Sequence, residues 1–173
     1  MRLKATALLA GTLLAASPVL AIDQAEKWEL QLLGAGTSDN EFEQGGFTLT
    51  GQLGYYFTDQ WQVAVRQSGN YTDSGESSSW SAATRAGAFY HFNYADDQVW
   101  VPYLGVNLGY IYGDAVSDTF VAGPELGIRY FVNSTTFISG SIAYEFLFDD
   151  ADEADDTIDD GQFVYGVAIG FQW

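Results

Sequence analysis

The chain has 173 residues, enough for one domain, with 47% hydrophobic and 16% aromatic residues, 19 glycines and no cysteine. Its 23 acids against six bases exclude a nucleic-acid partner, whose phosphates demand a basic surface. Without cysteine there is no disulfide, no thiol nucleophile and no thiolate metal site.

The first 21 residues read as a secretory signal peptide. Arg2 and Lys4 precede a short apolar run, and small residues close it at Ala21. Removing 21 of 173 residues leaves a barrel domain expected over 22–173, with 152 residues. Only Lys27, Arg66, Arg85 and Arg129 are basic there, four against 23 acids, for a formal charge of −19. No later stretch approaches the roughly 20 apolar residues of a spanning helix. A membrane location for this chain therefore requires strands.

Alternating segments follow in chain order at residues 28–36, 47–57, 61–68, 80–92, 99–112, 120–132, 136–148 and 162–173. Eight strands of this length match the nine to eleven residues of a tilted membrane strand or slightly exceed it. The connections after the second, fourth and sixth segments are short: "TDQ", "NYADDQ" and "NST". The others are longer and polar: "TSDNEFEQGG", "GNYTDSGESSS", "GDAVSDT" and "DDADEADDTIDDG". Short turns on one side and long loops on the other predict an all-β, eight-stranded antiparallel up-and-down transmembrane barrel.

The two faces of each segment decide what it touches. One parity is greasy, as in Leu104, Val106, Leu108 and Tyr110, or Ile138, Ile142, Tyr144 and Phe146. The opposite parity is Tyr103, Gly105, Asn107 and Gly109 in the fifth segment, and mostly Gly, Ala and Gln in the last. A soluble barrel would show Lys and Glu on its outer face. Small and neutral residues suit a crowded interior, so the greasy face points at lipid. Trp28, Trp61, Trp80, Trp100 and Trp173 all share the outward parity. Trp80 is at one end of the strands and the other four at the short-turn end, as an aromatic girdle requires. The last segment, "GQFVYGVAIGFQW", is expected to bury its greasy face in acyl chains and to pair with the first.

That last segment, alternating and ending in an aromatic, resembles the recognition signal of bacterial outer-membrane barrels. "VPYLGVNLGYIYGD" and "GPELGIRYFVNSTTFISGSIAYEF" resemble the small OmpA/OmpX-type outer-membrane β-barrel family. The resemblance covers essentially the whole mature chain. It implies the outer membrane of a Gram-negative bacterium, long loops extracellular and both termini periplasmic. Unlike OmpA itself, the sequence shows no periplasmic peptidoglycan-binding domain, so anchoring to the cell wall is not expected.

Three places could carry chemistry. Parity sends Glu29, Arg66, Arg85, Glu125, Arg129 and Glu145 into the lumen, three charges of each sign. Such charges must pair, because an unpaired buried ion costs several kcal/mol. Shared parity on neighbouring strands predicts Arg129 beside Glu125 or Glu145. The cluster is then either a structural plug or a gate or proton path. His91 is the only histidine. Inward and beside a short turn, it is poorly placed for lipid chemistry, and alone it does not make a zinc site. Asp149, Asp150, Asp152, Glu153, Asp155, Asp156, Asp159 and Asp160 put eight acids in twelve residues. They read as a solvated, self-repelling run or as a weak divalent-cation site lacking the central Gly and final Glu of an EF-hand.

The sequence thus predicts a structural or surface-interacting barrel that stabilises the membrane, adheres, or presents acidic loops. A narrow porin-like channel is the alternative and needs a continuous water path. A lipid-modifying barrel enzyme is a third reading and needs a nucleophile near His91. Neither enzymatic activity nor a cofactor is expected. The expected partners are outer-membrane lipids, lipopolysaccharide and, through the C-terminal strand, the barrel-assembly machinery. The chain is expected to be a monomer.

Overall fold

The computed structural model describes residues 25–38, 45–73, 78–94, 98–114, 118–148 and 161–173. The signal segment 1–21 and the acidic run 149–160 lie outside them. The strands are β1 (Trp28–Ser38), β2 (Gly45–Tyr56), β3 (Trp61–Asp73), β4 (Ser78–His91), β5 (Trp100–Gly113), β6 (Thr119–Phe131), β7 (Thr136–Phe148) and β8 (Gly161–Gln172). Each pairs antiparallel with the next, and β8 returns to β1 to close the barrel.

The short turns are made by side chains that take over backbone donors. Thr58 Oγ1 accepts from Trp61 N at 2.9 Å, and Asn133 Oδ1 accepts from Thr135 N and Thr136 N at 2.9 and 2.8 Å. At the other end, β1, β2, β3 and β4 run further than the sequence pattern suggested. The polar composition of "GNYTDSGESSS" predicts a loop, yet residues up to Asp73 pair with β4 from Ser78 onward. A ladder needs only backbone groups, so the hairpin continues past the alternating apolar pattern with Asn70 and Thr72 on its inner face and Tyr71 opposite Trp80 on its outer face.

Parity is obeyed throughout. Leu53, Val65, Leu104, Val106, Leu108 and Ile142 are exposed on the outside, while Gln62, Phe89, Val101 and Phe137 are buried inside. The inside is filled by pairing large with small across the ladder. Phe89 faces Gly105, Arg85 faces Gly109, Tyr103 faces Gly127 and Phe137 faces Gly170. A Cβ added at any of these four glycines would meet the large partner. In a closed sheet of eight strands the interior is narrow, and these four large inward side chains fit because the position opposite each has no side chain.

Two irregularities interrupt the ladder. Between β6 and β7 the pairing lapses at Gly123 and Pro124, resuming at Glu125↔Ala143; Pro124 has no N–H to give. Between β1 and β8 the register runs only from Glu29↔Gln172 to Leu33↔Ala168. Every other seam pairs for ten or more residues.

The Gly123–Pro124 irregularity has a mechanical consequence. A Cβ at Gly123 would collide with the carbonyl oxygen of Tyr144, whereas one at Gly140 meets nothing within 4 Å. Backbone cannot step aside as a side chain can. Gly123→Ala is expected to cost about 1–3 kcal/mol, as overpacking does, and Gly140→Ala to stay within about 0.5 kcal/mol. Urea unfolding of the folded barrel in detergent measures both.

Candidate functional site

The lumen is built from the inward parity of all eight strands. It is crossed by three Arg–Glu pairs, each joining opposite walls. Arg129 on β6 reaches Glu29 on β1 with two bonds, Nη1–Oε2 at 2.7 Å and Nη2–Oε1 at 2.9 Å. Arg66 on β3 holds Glu125 on β6 at 3.1 and 3.2 Å. Arg85 on β4 holds Glu145 on β7 through Nε at 2.6 Å and Nη2 at 2.9 Å. All three are fork-to-fork, the geometry that a planar guanidinium and a carboxylate favour.

The pairing corrects the expectation that Arg129 would lie beside Glu125 or Glu145. Glu125 is four residues along the same strand, roughly 13 Å away at about 3.3 Å per residue. Side chains in a narrow barrel meet across the lumen at one height rather than along a wall. Arg66 and Arg85 illustrate the same rule. They are direct ladder partners, yet each turns from the other toward its own carboxylate.

Around the pairs lies a second set of polar groups that charge alone does not reveal. Glu29 accepts from Gln31 Nε2 at 2.8 Å, Gln62 Nε2 at 2.9 Å, Gln172 Nε2 at 3.1 Å and Tyr56 OH at 3.2 Å. Tyr56 OH also takes a bond from Arg129 Nη1. The Arg129 guanidinium sits over the rings of Phe137 and Tyr103, 4.8 and 5.3 Å from their centroids. Glu125 accepts from Asn107 Nδ2 at 2.8 Å and Tyr103 OH at 3.0 Å, and Arg66 gives two bonds to Gln52 Oε1. The signal for these residues was available: Gln31, Gln52, Gln62, Asn107 and Gln172 are uncharged polar residues on the inward parity of otherwise apolar strands.

Below the Glu29–Arg129 pair, toward the short turns, the lumen is packed solid. Tyr56, Gln62, His91, Val101, Phe131 and Phe137 have no solvent exposure. His91 Nε2 lies 3.3 Å from both Tyr56 OH and Gln62 Oε1, and its ring packs against Tyr56 and Tyr103. No serine is among its bonding partners in the described residues. The ring is a member of the packing, with no face toward lipid.

On the outside, Trp28, Trp61, Trp80, Trp100 and Trp173 are all about half exposed. Three pack at an angle against a tyrosine from the next strand, ring centroids apart by 5.0 Å for Trp28 and Tyr55, 5.2 Å for Trp61 and Tyr90 and 4.6 Å for Trp100 and Tyr130. These amphipathic pairs ring the short-turn end. The acids Asp149, Asp150, Asp152, Glu153, Asp155, Asp156, Asp159 and Asp160 lie outside the described residues. Among the described residues no cluster of three His, Asp or Glu side chains is placed to hold a metal.

Breaking the pairs should reveal their depth. Arg129 and Glu29 are fully buried, whereas the Arg66 side chain is 18% exposed. Arg129→Met leaves a buried carboxylate without its cation, at an expected cost of about 3–5 kcal/mol. Arg66→Met should cost clearly less, because Glu125 would then adjoin a cavity that solvent can fill. Urea midpoints in detergent test the order, and an unchanged midpoint for Arg129→Met would mean that water already solvates the pair.

Comparison with known proteins agrees with this architecture. A family model described as an outer membrane protein beta-barrel domain matches residues 6–171. No curated protein sequence matches the chain. Among solved structures, the outer membrane protein OprG of Pseudomonas aeruginosa is similar at a TM-score of 0.61 and 13% identity, over 90% of this chain and 99% of that one. The N-terminal β-barrel domain of Pseudomonas aeruginosa OprF is similar at 0.57 and 16% identity, over 86% and 98%. Yersinia pestis Ail is similar at 0.50 and 14% identity, over 86% and 99%. At these identities the likeness is one of fold. With its closed eight-stranded sheet and a match over nearly its whole length, the chain belongs to the outer membrane protein beta-barrel family, which resides in the outer membrane of Gram-negative bacteria.

Proposed function

We propose that this protein is a structural, surface-interacting barrel that does not conduct. The observation that carries this reading is the plug. A fully buried Arg129–Glu29 pair and a layer of Tyr56, His91, Val101, Phe131 and Phe137 fill the short-turn half of the lumen. A channel would need a water path past them. Opening one would separate an ion pair in a dry surrounding, at a cost of several kcal/mol. The surface role rests on the sequence: 20 of the 23 acids fall outside the lumen-facing positions, and eight crowd into 149–160. With the long loops outside the cell and both termini in the periplasm, the acids of the long loops, these eight among them, would face lipopolysaccharide and its bridging divalent cations. Eight carboxylates without a fixed cage would bind such ions weakly, on the order of 10⁻⁴–10⁻³ M. A lipid-modifying activity gains no support from the setting of His91.

Two measurements test the reading. The purified barrel in a planar bilayer should show no discrete conductance steps, and steps that persist after removal of contaminating porins would replace this reading with the channel. An epitope tag placed within 149–160 should be accessible to antibody on intact cells, while one at Asp96 or Asp97 should not. The reverse pattern would invert the orientation.

A further inference from the structure

The short β1–β8 seam is where the wall departs from its own logic. In the lower half, Trp28 and Trp173 exchange both backbone bonds, at 3.0 and 3.1 Å. Antiparallel bonding alternates, so Leu30↔Phe171 and Leu32↔Ile169 are the next bonded pairs of this register. The alternation would continue at Gly34↔Val167 and Gly36↔Tyr165. Among the described residues the rungs stop at Leu33↔Ala168, so no full two-bond pair forms at Gly34↔Val167 or Gly36↔Tyr165. β1 goes on pairing with β2 as far as Ser38, and β8 with β7 from Gly161. The strands therefore part above Leu33, each held only on its other side. Sequence supplies a reason: "GAG" at residues 34–36 has almost no side chain to pair across the seam.

A cavity of about 270 Å³ opens at this place. Its inner wall carries Thr50, Ser68, Ser141, Arg66 and Arg85, and its outer lining includes Gly34, Tyr165 and Val167. It therefore connects the polar upper lumen with the lipid-facing surface, where Tyr165 and Val167 are 81% and 68% exposed. Unpaired backbone groups facing hydrocarbon are costly unless something polar meets them.

We propose that this seam is a lateral port that binds a single-chain amphiphile with an uncharged, hydroxyl-bearing head. The head lies among the hydroxyls of Thr50, Ser68 and Ser141 and meets the free edges of β1 and β8. The tail leaves past Tyr165 and Val167 into the bilayer. The charge of the head follows from the ion pairs. Both guanidiniums at the cavity already hold carboxylates, Arg66 on Glu125 and Arg85 on Glu145. An anionic head would have to displace one of them, while a neutral hydroxyl needs only an added hydrogen bond. The tail count follows from width, since one gap between two strands admits one chain. The port does not depend on the proposed surface role, and it stands above the plug rather than through it.

The test uses the full barrel in lipid nanodiscs. Hydrogen exchange should find the amides of Tyr165 and Val167 fast and those of Ile169 and Phe171 protected; equal protection would mean a closed seam and overturn the port. A monoacylglycerol carrying a diazirine beside its ester should then label the inward-facing residues Ser141 or Val164. Ser141→Leu fills the cavity from β7 and should cut that inward labelling roughly tenfold or more, equivalent to about 1.4 kcal/mol of binding. Ala143→Leu, on the same wall, serves if the first variant does not fold. Absence of inward labelling, or labelling unchanged by the filling variants, would overturn the site. A matched fatty acid or diacylphosphatidylcholine probe that labels as well would overturn the uncharged head or the single chain, respectively.

Discussion

Everything in this molecule follows from the backbone's need for hydrogen bonds where no water can supply them. In hydrocarbon an unpaired N–H or C=O costs several kcal/mol, so a sheet that crosses must close. Closure with eight strands fixes the width of the lumen, and the width fixes what fits inside. Hence several large inward side chains sit opposite a glycine, as at Phe89 and Gly105 or Tyr103 and Gly127. Hence also the outward positions are free to be uniformly greasy, since lipid imposes no shape on them.

Within that narrow tube the charges are arranged by height. Three arginines and three glutamates are joined wall to wall, and the deepest pair is wrapped by Gln31, Gln62, Gln172 and Tyr56. Breaking even against desolvation requires each carboxylate to find nearly all its bonding capacity. Glu29, with Arg129 and these four neutral donors, does so. The result is a lumen that is neutral, dry at its short-turn end, and increasingly polar toward the long loops. The strand pair that fails to close completely lies beside that polar half, where exposed backbone is less costly than at the level of the plug.

Much of the fold and part of the site were legible along the chain. Strand number, order and facing could be read because a strand has period two and lipid rewards one face uniformly; Leu104, Val106 and Leu108 need no partner to declare their side. The inward placement of Arg66, Arg85 and Arg129 followed from the same count. The tops of β3 and β4 were not legible, because polar residues such as Asn70 and Thr72 continue a ladder with no side-chain pattern to mark it. The packing role of His91 was equally hidden, since its neighbours Tyr56 and Tyr103 come from other strands.

The sequence by itself determined which residues face lipid and which face inward, because facing is a local property of a pleated strand. Only the tertiary structure decided that Arg129 joins Glu29 rather than Glu125, and that β1 and β8 part above Leu33. Both depend on the height at which tilted strands meet, and that height is set by the register of the whole closed sheet, which no single segment carries.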